Sequence, residues 1–154
     1  MNILAQRALP SATSAANPQP THEFTLDNGL KVIVREDHRA PVAISQLWYK
    51  VGSSYEMPGQ TGLSHALEHM MFKGSSKTGP GEFSLILNSL GAEENAFTSD
   101  DCTVYHQELA CDRLSVALEL EADRMTTLTL PPDEFSREIE VIKEERRMRS
   151  DDDP

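Results

Sequence analysis

The sequence predicts an α+β fold in which an antiparallel sheet packs against helices. Three observations carry that expectation. Asp27-Asn28-Gly29 stands between two short segments of alternating strand formers, which is the pattern of a hairpin turn. Segments of strand character return at 42–51, 95–98 and 103–109. The last third of the chain instead carries apolar residues at helical spacing.

Taken in order, the first 22 residues contain no acidic side chain and are rich in Ala, Ser, Thr and Pro. They read as a flexible leader, either a trimmed export signal, a weak transit-like segment or a plain tail, because the apolar stretch of a secretory signal is missing. Order is expected from about residue 23, with Phe24-Thr25-Leu26 and Leu30 to Val34 as the two arms of the hairpin. Pro41 opens a third strand over Val42–Val51, and Gly52-Ser53-Ser54 closes it. Thr61-Gly62 can start a helix and Gly74 can end it, and Leu63, Leu67, Met70 and Met71 make that helix largely apolar. A Gly/Ser/Lys-rich loop, Lys73–Gly81, leads to a helix over Glu82–Leu90 stopped by Gly91. Two strands then flank Ser99-Asp100-Asp101. Leu114, Ala117, Leu118, Met125 and Leu128 mark a further helix, and Pro131-Pro132-Asp133 separates it from a final helix running to about Ser150. This gives a leader over 1–22, one domain over 23–150 and an acidic tail over 151–154.

Composition narrows the function classes. With 154 residues and 38% hydrophobic content, the chain can build one core and not two, so it is one domain or a piece of one. Fourteen Lys plus Arg against 25 Asp plus Glu give a net charge of −11, which argues against a nucleic-acid partner and favours cationic peptides. No apolar run is long enough to span a membrane. The two cysteines, Cys102 and Cys111, imply no disulfide framework and read as two unpaired thiols, since a bridge would require the segment between them to turn back.

The chemistry concentrates in His65-Ala66-Leu67-Glu68-His69. Positions four apart share a helix face, so His65 and His69 can hold one metal while Glu68 reaches the same space. Two neutral imidazoles and a carboxylate are what zinc needs to bind and to activate water. With the glutamate just before the second histidine, the order is that of the inverted zinc motif. The alternative is a surface helix with two incidental histidines. A helix apolar enough to be buried, however, should not carry these three groups unpaired.

Catalytic zinc takes a third protein ligand. On the last helix Phe135, Ile139 and Ile142 form an apolar stripe, with Glu138 and Glu145, seven residues apart, along one edge of it. The competing reading is a charged, solvated helix laced by pairs among Glu140, Lys143, Glu144, Arg146 and Arg147. Glu144 is the rival to Glu145, but one residue turns a side chain by about 100° around a helix, and Glu145 keeps the alignment with Glu138.

His65-x-x-Glu68-His69, then Asn95-Ala96-Phe97-Thr98, then Arg137-Glu138 and Glu145, resembles the pitrilysin family of zinc metallopeptidases, peptidase family M16. The likeness runs from Phe24 to the end of the chain and is nearest to bacterial processing-protease-like members; Glu145 follows His69 by 76 positions, a separation typical of the family. The resemblance implies a LuxS/MPP-like metallohydrolase fold, of which this chain would be the first part of the N-terminal domain. It makes His65, His69 and Glu145 the ligands of a Zn2+ ion and Glu68 the general base toward its water. Glu138 matches a glutamate that orients a ligand or the water, and stands with Glu68 among the catalytic residues. Asn95 and Ala96 match a strand whose backbone pairs with an extended peptide substrate.

The implied activity is a zinc metalloendopeptidase acting on extended or presequence-like peptides. Its partners would be the peptide and a second M16-like half or subunit. Relatives of this type are often exported, so the bacterial periplasm is the expected compartment, with the cytoplasm as alternative. Other readings are a non-catalytic peptide-binding partner subunit, a fragment that retains zinc without activity, and a structural zinc site. The last of these is disfavoured because such sites use closed Cys/His sets and neither cysteine lies in the motif.

Overall fold

The computed structural model describes residues 20–148, which fall into two units on either side of Ala40. Residues 1–19 of the expected leader, the acidic tail and positions 149–150, the expected end of the last helix, lie outside the described residues. In the first unit β1 (Thr21–Thr25) pairs antiparallel with β2 (Lys31–Arg35), from Thr21↔Arg35 to Thr25↔Lys31. Thr21 and His22 therefore belong to the strand and not to a leader, because the ladder continues to the full length of β2. The turn is the three-residue type: Gly29 N–H donates to Leu26 O at 2.8 Å and Leu26 N–H to Leu30 O at 2.9 Å, with Gly29 at φ +86°. That left-handed position is why glycine follows Asn28.

The second unit places an antiparallel sheet, in the order β3-β5-β4, with four helices. β3 is Val42–Tyr49, β4 Glu93–Thr98 and β5 Thr103–Ala110; the helices are α1 (Leu63–Met70), α2 (Glu82–Ser89), α3 (Leu114–Thr127) and α4 (Pro132–Arg146). β5 is central, pairing with β3 from Val42↔Ala110 to Tyr49↔Thr103 and with β4 from Glu93↔Glu108 to Thr98↔Thr103. The rows from Thr103 to Glu108 run across all three strands: Leu47, Tyr105 and Ala96 lie side by side, as do Tyr49, Thr103 and Thr98. Leu109 joins Phe83 and Leu87 of α2 and Ala117 and Leu120 of α3 in the buried cluster, while Val42, Ile44, Trp48 and Phe97 are exposed on the sheet. Cys102 and Cys111 are free, at opposite ends of the eight-residue β5, whose roughly 3.4 Å rise per residue keeps them far beyond bridging distance.

The helices bury different faces from those that their apolar residues predict. On α1 Leu63 is 56% exposed while Glu68 is 8% exposed. On α4 Phe135 is exposed, Ile139 and Ile142 are only half-buried, and Glu138 is the buried residue. On α3 Leu118 and Met125 face outward; Ala117, Leu120, Glu121 and Arg124 face in. In each case polar side chains have found partners inside, which offsets the cost of removing them from water. Arg124, 2% exposed, forms an ion pair with Glu121 and stacks over Phe83, Tyr105 and Phe72, with its guanidinium carbon 4.3, 4.4 and 5.0 Å from the ring centres. Gln107 Nε2 donates to Glu121 Oε1 at 2.5 Å, tying α3 to β5.

Two further contacts set the frame of the site. The Glu56 carboxylate accepts the N–H groups of Gly62 at 2.6 Å and Ser64 at 2.7 Å, capping α1 from a distance. These backbone donors, that of Ser64 foremost, hold the Glu56 carboxyl below its ordinary range. At the far end of β3, Ser53 N–H donates to Ser99 O at 3.1 Å and Ser54 N–H to Asp100 O at 2.9 Å. Gly52 permits this approach: a Cβ there would stand 2.2 Å from Ser99 O.

Candidate metal centre

α1 and α4 pack against each other and bring the sequence-selected groups together. His65 Nε2 lies 3.1 Å from His69 Nε2 and 3.4 Å from Glu145 Oε2, and His69 Nε2 is 3.8 Å from the same carboxylate oxygen. One ligand atom from each of the three residues fits within a mutual distance of 4.8 Å. Glu145 Oε2 is buried without a hydrogen-bond partner.

The donor set fits a metal. Two ring nitrogens and an anionic oxygen point at one another, and a buried carboxylate oxygen with no donor is costly unless a cation neutralises it. Two imidazole nitrogens and one carboxylate oxygen are zinc-type ligands that leave a further coordination position open. His65, His69 and Glu145 are thus a group able to hold a metal ion. Glu144 is not part of it: its side chain is 59% exposed and accepts from Arg147 Nη1 at 2.8 Å. Neither cysteine belongs to it.

Glu138 lies behind His69. Its Oε1 is 2.9 Å from His69 Nδ1, and Lys73 Nζ donates to its Oε2 at 2.6 Å. Burial opposes the charge on Glu138, but the hydrogen bonds from Lys73 and His69 outweigh it and hold the carboxyl below its ordinary range. An ionised Glu138 accepts a hydrogen bond from Nδ1–H and leaves the Nε2 lone pair of His69 facing His65 and Glu145.

Glu68, on the same helix, turns into a cleft of about 440 Å3 that also contains His65, His69, Phe72, Glu94 and Ala96. Its Oε2 accepts from Thr98 Oγ1 at 2.5 Å. Asn95 and Ala96 lie on β4, one of the two edge strands of the sheet, and the Ala96 N–H is taken by the Asn95 side-chain oxygen at 2.8 Å.

Some participants are not evident from the sequence motifs. Lys73 could have been found, since it follows His69 by four, the spacing of one helix face. Glu56 and Glu94 carry no local signal. Glu94 has a buried Oε2 with no hydrogen-bond partner, and burial pushes its carboxyl above the ordinary range.

A metal-competent His/His/Glu set beside a buried carboxylate, on an α+β scaffold, has the donor types that metallohydrolases use. Residues 31–153 match the family model described as Insulinase (Peptidase family M16). The zinc protease PqqE of Helicobacter pylori (strain ATCC 700392 / 26695) is 40% identical over 148 residues, covering 95% of this chain and 33% of that protein. The β subunit of the mitochondrial-processing peptidase of Bos taurus is 36% identical over 135 residues, covering 88% of this chain and 27% of the relative. The crystal structure of a protease from Helicobacter pylori superposes with a TM-score of 0.86 at 39% identity, over 88% of this chain and 33% of that one. The chain belongs to peptidase family M16. It spans about a third or less of the length of the relatives it matches.

Proposed function

We propose that the protein is a zinc-dependent endopeptidase acting on extended peptides, with His65, His69 and Glu145 holding the metal and Glu68 as general base. The observation that carries this reading is the unpartnered, buried Glu145 Oε2 facing two imidazole nitrogens in the cleft that Glu68 enters. Zinc held there supplies Lewis acidity, lowering the pKa of water toward about 7 and polarising a carbonyl. Glu68 accepts the proton of the attacking water and returns it to the leaving amine. Glu138 fixes the tautomer and the orientation of His69 through Nδ1.

An extended substrate is supported by the outer edge of β4, which pairs with no strand among the described residues and lines the cleft of the metal centre. The Asn95 amide oxygen now occupies the Ala96 N–H that a peptide strand would take. Cleft acids Glu68, Glu94, Glu138 and Glu145 outnumber Lys73, which favours peptides carrying positive charge. Pairing with a second peptidase-like half or subunit belongs to the same proposal, as does export to the bacterial periplasm, for which the acid-free residues ahead of β1 are the support. Among the described residues no helix is long and apolar enough to cross a membrane.

The test combines metal analysis with hydrolysis of a quenched fluorescent peptide. Purified protein should contain zinc, cleave the peptide and lose cleavage to phenanthroline, while Glu68→Gln should keep zinc and lose turnover. Equal turnover in Glu68→Gln and parent would overturn the role of Glu68.

A further inference from the structure

The buried Glu68 carboxylate has one hydrogen-bond donor among the described residues, the Thr98 hydroxyl at 2.5 Å. Thr98 stands on β4, and its register partner on β5 is Thr103, whose Oγ1 lies 3.3 Å from Thr98 Oγ1. Thr103 is buried and donates its own hydroxyl proton to the Val51 carbonyl at 3.0 Å. Side chain, side chain and main chain thus form one line running from the cleft into the sheet.

The proton inventory gives that line a direction. Each hydroxyl owns one hydrogen. Val51 O holds that of Thr103, so Thr103 meets Thr98 with lone pairs only. The hydrogen of Thr98 then has two acceptors in reach, a neutral oxygen at 3.3 Å and a carboxylate oxygen at 2.5 Å, and the nearer, charged one takes it. Oε2 of Glu68 is committed to Thr98, and Oε1 is the oxygen left for a reacting proton.

We infer that Thr98 is the positioning residue for Glu68, holding one carboxylate oxygen so that the other faces the cleft, while the commitment of the Thr103 hydrogen to the Val51 carbonyl leaves Thr98 free to donate to Glu68. The inference rests on the reading of Glu68 as general base. Without the hydroxyl, Glu68 keeps its place on α1 and loses the contact that fixes its side-chain torsions. Misplacing a reacting group by about 1 Å costs on the order of a hundredfold in rate.

Two readouts test it. In the full chain without metal, labelled with 13C at the glutamate carboxyls, the Glu68 resonance is assigned by its loss in Glu68→Gln. It should move in Thr98→Val and return in Thr98→Ser; an unmoved resonance in folded Thr98→Val overturns the contact. In the peptide assay Thr98→Val should lower kcat roughly ten- to a hundredfold with KM and zinc content unchanged, and Thr98→Ser should restore it. Full kcat in Thr98→Val beside an inactive Glu68→Gln overturns the positioning role alone. Full turnover in Glu68→Gln overturns the base assignment instead, and is told apart because the carboxyl resonance still moves in Thr98→Val. If Thr98→Val does not fold, Thr98→Ala carries the same test.

Discussion

His69 Nδ1 lies 2.9 Å from Glu138 Oε1, and this contact joins the metal-facing side of α1 to α4. It gives the imidazole a proton acceptor on one side and leaves a lone pair on the other. Replacing Glu138 by Gln keeps the volume and removes the charge that Lys73 and His69 share. Zinc affinity should fall about ten- to a hundredfold, the usual cost of losing such a partner. Competition titration with a zinc-binding dye reads this directly; unchanged affinity would mean that Glu138 acts only in packing.

Glu145 and Glu144 are adjacent and chemically identical, yet one has a buried carboxylate oxygen without a donor and the other pairs with Arg147 in solvent. Glu145→Gln should therefore lose most of the bound zinc, while Glu144→Gln retains it and changes stability by less than about 1 kcal/mol, the value of an exposed pair. Metal content of the two variants purified side by side decides between the two carboxylates. Equal zinc in both would remove Glu145 from the ligand set.

The elements were legible because each carries its own punctuation: Asn28-Gly29 in the hairpin, Gly62 before α1, Gly91 after α2 and Pro132 at the start of α4. The metal group was legible because i,i+4 spacing on one helix and seven-residue spacing on another survive folding unchanged. The buried faces were not. Hydrophobicity pointed to Leu63, Leu118 and Phe135, whereas the chain buries Glu68, Arg124 and Glu138, whose partners are up to 69 positions away in sequence. Pairwise satisfaction of polar groups is a property of the folded chain and has no period. For the same reason Thr98 could be seen as part of a motif but not as the donor to Glu68.

Gly52 is where the end of β3 meets the turn between β4 and β5. A Cβ at this position would lie 2.2 Å from Ser99 O and 2.7 Å from Asp100 O, both backbone atoms that cannot step aside. Gly52→Ala should destabilise the protein by roughly 1–3 kcal/mol, as overpacking does. It should also displace Ser99, and with it the neighbouring Thr98. Chemical denaturation gives the first effect and the Glu68 carboxyl resonance the second. An Ala variant as stable as the parent would show that the two segments are not held this closely.

Glu94 lines the same cleft without belonging to the metal group, and it offers a pH test. Burial raises its carboxyl above the ordinary range against the opposing pull of a Ser84 hydrogen bond and the Arg124 charge, with Glu121 adding to the rise. Its cross-strand partner Gln107 has a buried, unpartnered Oε1, and Glu94 Oε2 is likewise unpartnered. A raised folded-state pKa means that the protonated form is favoured by folding. The contribution is fully present below the unfolded value near 4.5 and is lost as pH rises through the folded value. Glu94→Gln is neutral at every pH and brings an amide donor within the same row as Gln107. The variant should be more stable than the parent at pH 7 by about 1 kcal/mol, the low end of the cost of a buried unsatisfied group. That advantage should shrink toward zero below about pH 4.5. Urea unfolding of both proteins across pH 4 to 8 gives the difference directly, and a gap that stays constant over that range would show that ionisation of Glu94 is not its source.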